Sequence, residues 1–259
     1  MKINEIVNYL ESKYPSVNAQ DIDTGKIGLQ FGSMNASVKK AIIALDGTID
    51  VVNEAIEKKA ELIILHHPFL FYPILSINYD SPFGQKISKI ITNKINVFSM
   101  HTNFDVAEDG MNDILANILG LKNIKITDEQ ISSKTLIRIG TIDEMKLPDF
   151  AKYVSSKLEE PTVRFVGDEN KKIKKVGIVG GAGASEMYKA FYNDCDVLIT
   201  GEVHHHQALD AKEYNIALVE VSHSVERHFA SKIKEELENK FPDVEFIISK
   251  NNTNPFNSL

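Results

Sequence analysis

The chain has 259 residues, a formal net charge of −7 at pH 7 and one cysteine, Cys195. Its length allows one large domain or two ordinary ones, and its acidic balance argues against a nucleic-acid binder, which would need a basic surface. No apolar run reaches 18 residues, the N-terminus lacks a signal-peptide core, and one cysteine cannot form an internal disulfide, so we expect a soluble cytoplasmic protein that acts on a small molecule and not on a membrane.

The first half of the chain predicts helices that alternate with short buried strands. Apolar residues at helical spacing predict a helix over 3–13, and Thr48 and Asp109 are candidates to cap two further helices. Short apolar runs predict strands at 41–45, 62–65 and 96–100. The long aromatic segment 68–84 predicts either a packed loop or a substrate lid.

The second half predicts the same alternation. The strands are expected at 136–142, 163–166, 175–180, 197–200 and 217–221, and the helices at 149–158, 207–213 and 224–240. Residues 180–183 read Gly-Gly-Ala-Gly, a weak indication of a phosphate-binding turn, because their spacing matches neither a P-loop nor a dinucleotide fingerprint.

The two halves also resemble each other. Residues 40–45 align with 175–180 at an offset of 135, and 62–65 align with 197–200 at the same offset. His101 and His223 each follow the next strand but are only 122 residues apart, so the first half has 135 − 122 = 13 extra residues, which we place in the aromatic segment. This pattern predicts an α/β fold of two similar α/β units that arose by internal duplication and face each other across a metal-containing cleft. We expect one domain over 1–126 joined by 223–259, and a second over 127–222.

Polar residues able to bind metal follow the predicted strands. His66 and His67 directly follow the strand 62–65, and Asp105 follows the next strand. The carboxyl ends of strands are where open α/β sheets place their sites. Adjacent side chains on a strand point to opposite faces, so the two imidazoles reach one site only if the chain leaves the strand there, and each can then serve a different ion.

His223 and Glu226 complete the predicted ligand set. Glu226 falls on the apolar face of the last predicted helix, where a carboxylate must be paired or bind a metal, and a capping role is the alternative. His and Glu three residues apart can present two ligands from one helix. His66, His67, Asp105, His223 and Glu226 are too many ligands for one catalytic zinc. They fit two divalent ions, chosen from Zn, Fe, Mn, Co and Ni, with Glu226 as the bridge.

Two further histidines are candidates for catalysis. His101, four residues before Asp105, is either a residue that orients a ligand or carries a proton, or a structural residue. Residues 204–206 are three consecutive histidines, of which His206 is the one expected to point into the cleft; a solvated or packed cluster is the alternative.

Taken together, these motifs resemble the GTP cyclohydrolase 1 type 2 family, also called the NIF-three-like family, over nearly the whole chain. The resemblance rests on the segments 28–32, 44–46, 61–68, 101–105 with Gly110, Asn112 and Asp113, 180–183, 200–202 with His206, and 223–226. It implies a two-domain α/β fold with a two-metal site formed by the five ligands named above, and a toroidal homohexamer built as a trimer of dimers. Ser222 stands where the family commonly has Gly, and the chain has no large inserted middle domain.

The resemblance implies a dinuclear metal-dependent hydrolase. In that reading a metal-bound hydroxide attacks a nucleotide-like substrate, opening the imidazole ring of GTP at C8, with a nearby histidine as proton donor. No residue pattern in the sequence identifies a guanine site. A metal-binding regulatory or carrier protein without turnover, and a two-metal hydrolase of phosphoesters or amides, are the alternatives.

Overall fold

The structure, a computed structural model, describes residues 1–126, 134–251 and 254–257. Contacts divide the chain into two compact units. Unit 1 comprises Met1–Phe104 and Arg227–Thr253, and unit 2 comprises Asp105–Glu226 and Asn254–Leu259. The chain therefore passes from unit 1 to unit 2 after Phe104 and returns after Glu226.

The described part of the chain contains alternating helices and strands, as predicted. The helices are α1 (Ile3–Lys13), α2 (Ile49–Lys58), α3 (Pro82–Thr92), α4 (Thr102–Val106), α5 (Met111–Ile118), α6 (Leu147–Leu158), α7 (Met187–Tyr192), α8 (His205–Glu213) and α9 (His228–Lys240). The strands are β1 (Gly28–Phe31), β2 (Lys40–Ala44), β3 (Leu62–Leu65), β4 (Asn96–Ser99), β5 (Lys122–Ile126), β6 (Arg138–Lys146), β7 (Arg164–Val166), β8 (Lys172–Ile178), β9 (Val197–Thr200), β10 (Ala217–Glu220) and β11 (Glu245–Ile248). No helix among these described residues is long and apolar enough to cross a membrane.

Each unit contains one sheet with a parallel centre. In unit 1 the strand order is β1-β4-β3-β2-β11, and only β1 runs antiparallel to its neighbour. In unit 2 the order is β5-β6-β8-β9-β10-β7; β8, β9 and β10 are parallel, and the strands on either side are antiparallel. The carboxyl ends of the three central strands therefore meet at one edge in each sheet.

Strand pairing preserves the predicted repeat. Ala41 faces Leu62 in unit 1, and Val176 faces Val197 in unit 2, so both strands keep the offset of 135. For the third strand, Asn96 and Ala217 occupy equivalent positions, which gives an offset of 121. The first half therefore has 135 − 121 = 14 extra residues between these strands, not 13, and His101 and His223 are not equivalent.

The aromatic segment contains most of these extra residues, as predicted. Residues 66–81 connect β3 to α3, whereas only residues 201–204 connect β9 to α8. Gln30 of β1 holds the segment through its side chain: its Oε1 accepts from the backbone N–H of Phe69 at 2.7 Å and its Nε2 donates to the carbonyl of Leu70 at 3.2 Å. The start of the segment is thus a packed loop, while Tyr72 and Leu75 beyond it are exposed.

Apolar side chains of helices and strands form a buried core in each unit. In unit 1 this core includes Ile42, Val52, Ile63, Ile87 and Val97. In unit 2 it includes Ile139, Met187, Leu198, Ala211 and Leu218. Cys195 lies in the second core, and burial raises the pKa of its thiol to about 11, so it is a structural cysteine and not a reactive one.

The unit boundaries differ from those expected from the sequence. Residues 105–126, assigned to the first domain by the sequence, lie in unit 2 because β5 pairs with β6 and because the buried Arg138 donates to the carbonyls of Val106 and Ala107, each at 2.9 Å. Asp105 accordingly belongs to unit 2, and the final segment of unit 1 starts at Arg227 instead of His223.

The helix ends show where local sequence rules held and where they failed. Thr48 caps α2, its hydroxyl accepting from the backbone N–H of Val51 at 3.2 Å, as predicted. The predicted cap at Asp109 is wrong: Gly110 is the N-cap of α5, and Asp109 adopts a φ of +58° while its N–H donates to Asp113 at 2.8 Å. The last helix was expected to start at 224, but His223–Arg227 forms a 3-10 turn before α9.

We predict that Glu236→Gln destabilises the protein at neutral pH. Burial alone would raise the pKa of Glu236, but its hydrogen bonds with Lys13, Tyr14 and Lys232 outweigh burial and hold the pKa below the ordinary value of 4.5. A lowered folded-state pKa stabilises the fold above pH 4.5 and loses that effect as pH falls through the folded value. The expected loss at pH 7 is about 1–3 kcal/mol in denaturant unfolding.

The matched control is Glu238→Gln on the same helix, whose exposed carboxylate pairs with Lys234. We expect its free energy of unfolding to stay within about 0.5 kcal/mol of the wild-type value. The gap between wild type and Glu236→Gln should narrow below pH 4.5. Equal losses in both variants, or a gap that does not change with pH, would contradict the assignment.

Candidate metal centre

Three histidines meet at the carboxyl edge of the unit-1 sheet. His66 and His67 follow β3, and His101 follows the neighbouring strand β4. One ring nitrogen from each lies within 4.8 Å of the others. The chain leaves the strand after Leu65, which allows adjacent imidazoles to approach with ring centroids 5.0 Å apart. We call His66, His67 and His101 the unit-1 cluster.

Two rings of the unit-1 cluster are held by carboxylates. Nδ1 of His67 lies 2.7 Å from Oδ1 of Asp46, and Nδ1 of His101 lies 2.7 Å from Oδ1 of Asp23. A carboxylate on Nδ1 favours the tautomer that carries its lone pair on Nε2, the arrangement usual for histidines that bind metal. Neither aspartate was among the site residues predicted from the sequence.

Asp23 is the most enclosed of these carboxylates. It is buried and also accepts hydrogen bonds from the backbone N–H and the hydroxyl of Thr102. Burial works to raise its pKa, but the hydrogen bond and the electrostatic attraction to the His101 ring, together with the hydrogen bonds from Thr102, outweigh burial and lower the pKa below its ordinary value. Asp23 is therefore an ionised acceptor that fixes the orientation of the His101 ring.

A second group of ligand atoms lies in unit 2. Nε2 of His223 and Oε2 of Glu226 are 3.1 Å apart, and a carboxylate oxygen of the buried Asp105 lies within 4.8 Å of one from Glu226. Two ligand atoms on one tetrahedral ion are about 3.3 Å apart, so the first pair already has a chelating separation. We call Asp105, His223 and Glu226 the unit-2 cluster.

The local fold explains how His223 and Glu226 come together. Residues three apart lie above one another in a 3-10 turn, and Ser222 supports this turn by accepting from the N–H of Ser224 at 3.1 Å. Nδ1 of His223 lies 2.6 Å from Glu202, a third carboxylate–imidazole pair. Glu202 and Asp46 each follow a central parallel strand within two residues, a positional signal that could have identified both.

Glycines make room for the unit-2 cluster. A Cβ atom on Gly181 would stand 2.6 Å from Oε1 of Glu226 and 3.2 Å from Nε2 of His223, and its φ is +57°. The N–H of Gly180 donates to Oδ1 of Asn112 at 2.8 Å. Asn112 also donates to the carbonyl of Asp105 at 3.0 Å. The Gly-rich turn, considered as a phosphate cradle in the sequence, therefore forms one wall of this cluster and is tied to Asp105 through Asn112.

His206 does not join either cluster in the part of each unit that the structure describes. It is exposed in the first turn of α8, and its ring stacks on His204 at 5.7 Å. The catalytic role expected for His206 has no direct support from its surroundings within unit 2.

The ligand sets differ in their chemistry. The unit-1 cluster offers imidazoles alone, whereas the unit-2 cluster offers one imidazole and two carboxylates. Both sets fit divalent transition metals, and neither contains the thiolate that structural zinc sites commonly use. The residues present therefore fit the metal chemistry expected from the sequence.

These features define a two-unit α/β protein with candidate metal ligands in each unit. A profile of the Duf34/NIF3 (NGG1p interacting factor 3) family matches residues 1–255. The chain belongs to this family, which confirms the resemblance found in the sequence.

Related sequences and a solved structure match this chain over nearly its full length. A "GTP cyclohydrolase 1 type 2 homolog" from Clostridium acetobutylicum is 34% identical over 265 residues, covering 99% of this chain and 98% of the relative. One from Staphylococcus aureus is 29% identical over 366 aligned positions, at least 366 − 259 = 107 more than this chain has, with 99% of each covered. The crystal structure of S. aureus protein SA1388 superposes with a TM-score of 0.93 at 34% identity, covering 100% of this chain and 99% of that one.

We predict that Gly181→Ala weakens metal binding by at least about 10-fold, a typical effect of disturbing the residues that position metal ligands. The added methyl group must displace the carboxylate of Glu226 or the ring of His223. Gly25→Ala is the matched control, because Gly25 also has a positive φ of +74° but open space around its Cβ position. Both variants carry a similar backbone strain of about 1–3 kcal/mol.

Zinc affinity is measured by competition with a chelating dye, and folding by thermal unfolding. Only the Gly181 variant should lose affinity beyond the change seen in the Gly25 variant. If both variants bind zinc as the wild type does, the close approach of Gly181 to the ligands does not matter for metal binding.

Proposed function

We propose that the protein is a dinuclear metal-dependent hydrolase that acts on a nucleotide-like substrate. His66, His67, Asp105, His223 and Glu226 are the proposed ligands, with Glu226 as the bridge. The observation that carries the proposal is that each unit presents imidazole ligands oriented by carboxylates at the carboxyl edge of its sheet. Such pairs are the usual support of catalytic metal ligands.

Two of the proposed ligands lie where the chain crosses from one unit to the other. Asp105 directly follows Phe104, and Glu226 directly precedes Arg227, so two proposed ligands flank the crossings between the units. Within unit 1, the ring of His66 packs against Phe104 at 6.1 Å and against Phe229 at 5.2 Å. Each carboxylate ligand is thus within three residues along the chain of an aromatic ring that contacts His66.

The proposed chemistry divides between metal and protein. When bound, two divalent ions acidify a water molecule and polarise the substrate. Asp46, Asp23 and Glu202 keep the imidazoles in one orientation throughout. Nε2 of His101 can either exchange a proton with the substrate or bind a metal ion.

The surroundings of the unit-1 cluster support an anionic, aromatic substrate. The ring of Phe71 lies 6.3 Å from His101, and Nζ of Lys26 lies 3.9 Å from the Phe71 ring centroid. A cation and an aromatic ring beside the ligands fit a phosphate and a base. The printed name of the relatives makes GTP, with hydrolytic opening of its imidazole ring, the first substrate to test.

We predict that protein purified without an affinity tag and reconstituted with Zn, Mn or Fe(II) contains two ions per chain and hydrolyses GTP. Glu226→Gln should reduce metal content and lower turnover about 100-fold, since removal of support for a metal costs about 10–100-fold and this residue is a proposed ligand itself. Elemental analysis and product chromatography measure the two effects. Glu57→Gln, on an exposed position of α2, is the control and should change neither.

If the protein binds two ions but does not hydrolyse GTP, a two-metal hydrolase of phosphoesters or amides is the remaining enzyme hypothesis. A panel of such substrates tests it. The family description, which names an interacting factor, supports a second candidate: a metal-handling or regulatory protein without turnover. Metal transfer to an acceptor chelator with no saturable turnover on any substrate would favour that candidate. One ion or none per chain would contradict the dinuclear centre.

We also propose that the protein assembles as a homohexamer. Exposed apolar side chains in the aromatic segment support self-association, since Tyr72 is 77% and Leu75 99% exposed in unit 1. We predict a mass of 6 × 29.0 = 174 kDa by light scattering. A mass near that of one or two chains at micromolar concentration would contradict the hexamer.

A further inference from the structure

The hydroxyl of Ser222 joins the turn His223–Arg227 to the C-terminal tail (residues 249–259). Its Oγ accepts from the N–H of Ser224 at 3.1 Å and lies 2.8 Å from the hydroxyl of Ser224. Nδ2 of Asn254, in the tail, donates to the same Oγ at 2.9 Å. The backbone of Ser222 does not have the positive φ that would favour glycine, so the hydroxyl is what the serine adds at this position.

The direction of these hydrogen bonds is fixed. Oδ1 of Asn254 accepts from the backbone N–H of Phe256 at 3.0 Å, so the other end of the amide, Nδ2, faces Ser222. A serine hydroxyl has two lone pairs and one proton. Two N–H donors use both lone pairs of Ser222, which leaves its proton for the hydroxyl of Ser224. That hydroxyl in turn donates to Oε1 of Glu160 at 3.4 Å. We call Asn254, Ser222, Ser224 and Glu160 the hydroxyl chain.

The hydroxyl chain runs from the surface to buried groups beneath the ligands of the unit-2 cluster. Ser224 is 9% and Glu160 3% exposed. A buried polar group that loses a hydrogen-bond partner costs more free energy than the hydrogen bond itself contributes. Without Oγ of Ser222, the N–H of Ser224 loses its acceptor in this turn, and the turn must shift to compensate. His223 directly precedes Ser224 and Glu226 follows two residues later, so such a shift moves both proposed ligands.

The tail is already anchored when it reaches Ser222. The buried carboxylate of Glu54 on α2 accepts from the hydroxyl of Ser249 at 2.7 Å and from Nδ2 of Asn251 at 2.9 Å. These three residues belong to unit 1, whereas Asn254 and Ser222 belong to unit 2. An anchored tail loses less conformational entropy than a free one when its next residues form a hydrogen bond.

We propose that Ser222 is a positioning residue for the ligands of the unit-2 cluster, and that the C-terminal tail acts on it through Asn254. The donor from the tail gives the Ser222 hydroxyl one orientation, in which it holds the N–H of Ser224. The turn then presents Nε2 of His223 and Oε2 of Glu226 at their separation of 3.1 Å. The inference rests on the proposed function for the metal, but the hydroxyl chain is a property of the metal-free protein.

The test uses the full chain and Co²⁺, whose visible absorption reports the arrangement of its ligands. Ser222→Ala should alter this absorption and weaken Co²⁺ binding by about 10–100-fold, the usual effect of losing a residue that positions metal ligands. Ser222→Thr keeps the hydroxyl and should bind Co²⁺ as the wild type does. Thr141→Val is the control: it removes a hydroxyl of unit 2 that donates to the carbonyl of Lys122 at 3.2 Å, and it should change neither quantity.

A second variant isolates the contribution of the tail. Asn254→Asp keeps the shape of the side chain but removes its N–H donors, and it should weaken Co²⁺ binding by about 2–10-fold, the effect of one ordinary hydrogen bond. Asn257→Asp places the same charge at an exposed position of the same tail and should have no effect. In the metal-free protein, amide hydrogen exchange within residues 223–227 should be faster in Ser222→Ala and Asn254→Asp than in the two controls.

The outcomes separate this inference from the proposed function. If Ser222→Ala binds Co²⁺ with the affinity and absorption of the wild type, Ser222 is not a positioning residue. If Asn254→Asp behaves like Asn257→Asp, the role of the tail is wrong. If the wild type binds no metal but exchange in the turn is faster in both test variants, the proposed function fails while the support of the turn by the hydroxyl chain stands. Unchanged exchange as well would overturn both.

Discussion

The hydrogen bond between a carboxylate and Nδ1 of an imidazole is the interaction on which the candidate centre depends. It occurs three times, in Asp46–His67, Asp23–His101 and Glu202–His223, each at 2.6–2.7 Å. Each pair joins side chains that are at least 21 residues apart in sequence, so it forms only when the tertiary fold brings them together. The fold therefore fixes which ring nitrogen is available for chemistry, and the metal or substrate does not need to select it.

Duplication has produced two sheets of similar construction with different chemistry. At the preserved offset of 135, Gly181 occupies the position of Asp46, and Glu202 occupies the position of His67. In unit 1 the carboxylate (Asp46) follows β2 and its histidine (His67) follows β3. In unit 2 the carboxylate (Glu202) follows β9, the equivalent of β3, and its histidine (His223) follows the next strand, β10. Because Gly181 has no side chain, the carboxylate of Glu226 occupies the space beside its Cα atom. One scaffold thus offers nitrogen ligands in one copy and mainly oxygen ligands in the other.

Much of the fold and part of the candidate centre could be predicted from sequence. Apolar runs located the central strands because buried parallel strands contain little else, and the histidines next to those strands followed directly. Asp23 could not be found in this way, because it lies in a 3-10 turn 78 residues from His101 and no periodicity links them. The cap predicted at Asp109 was wrong because aspartate, a residue suited to capping, also tolerates a positive φ. His223 and Glu226 are three residues apart, a spacing that fits an α-helix, but they lie in the 3-10 turn His223–Arg227.

The division of unit 1 into two chain segments has a consequence for biosynthesis. β11 pairs with β2, so Glu245 and Lys40 meet although 245 − 40 = 205 residues separate them. Unit 2 is nearly continuous and can fold while the ribosome is still producing α9 and β11. Until then β2 remains an open edge of the unit-1 sheet, with Ile42 and Ile43 next to unpaired backbone groups. A nascent or truncated chain that ends before β11 is consequently the form of this protein most exposed to aggregation and to proteolysis.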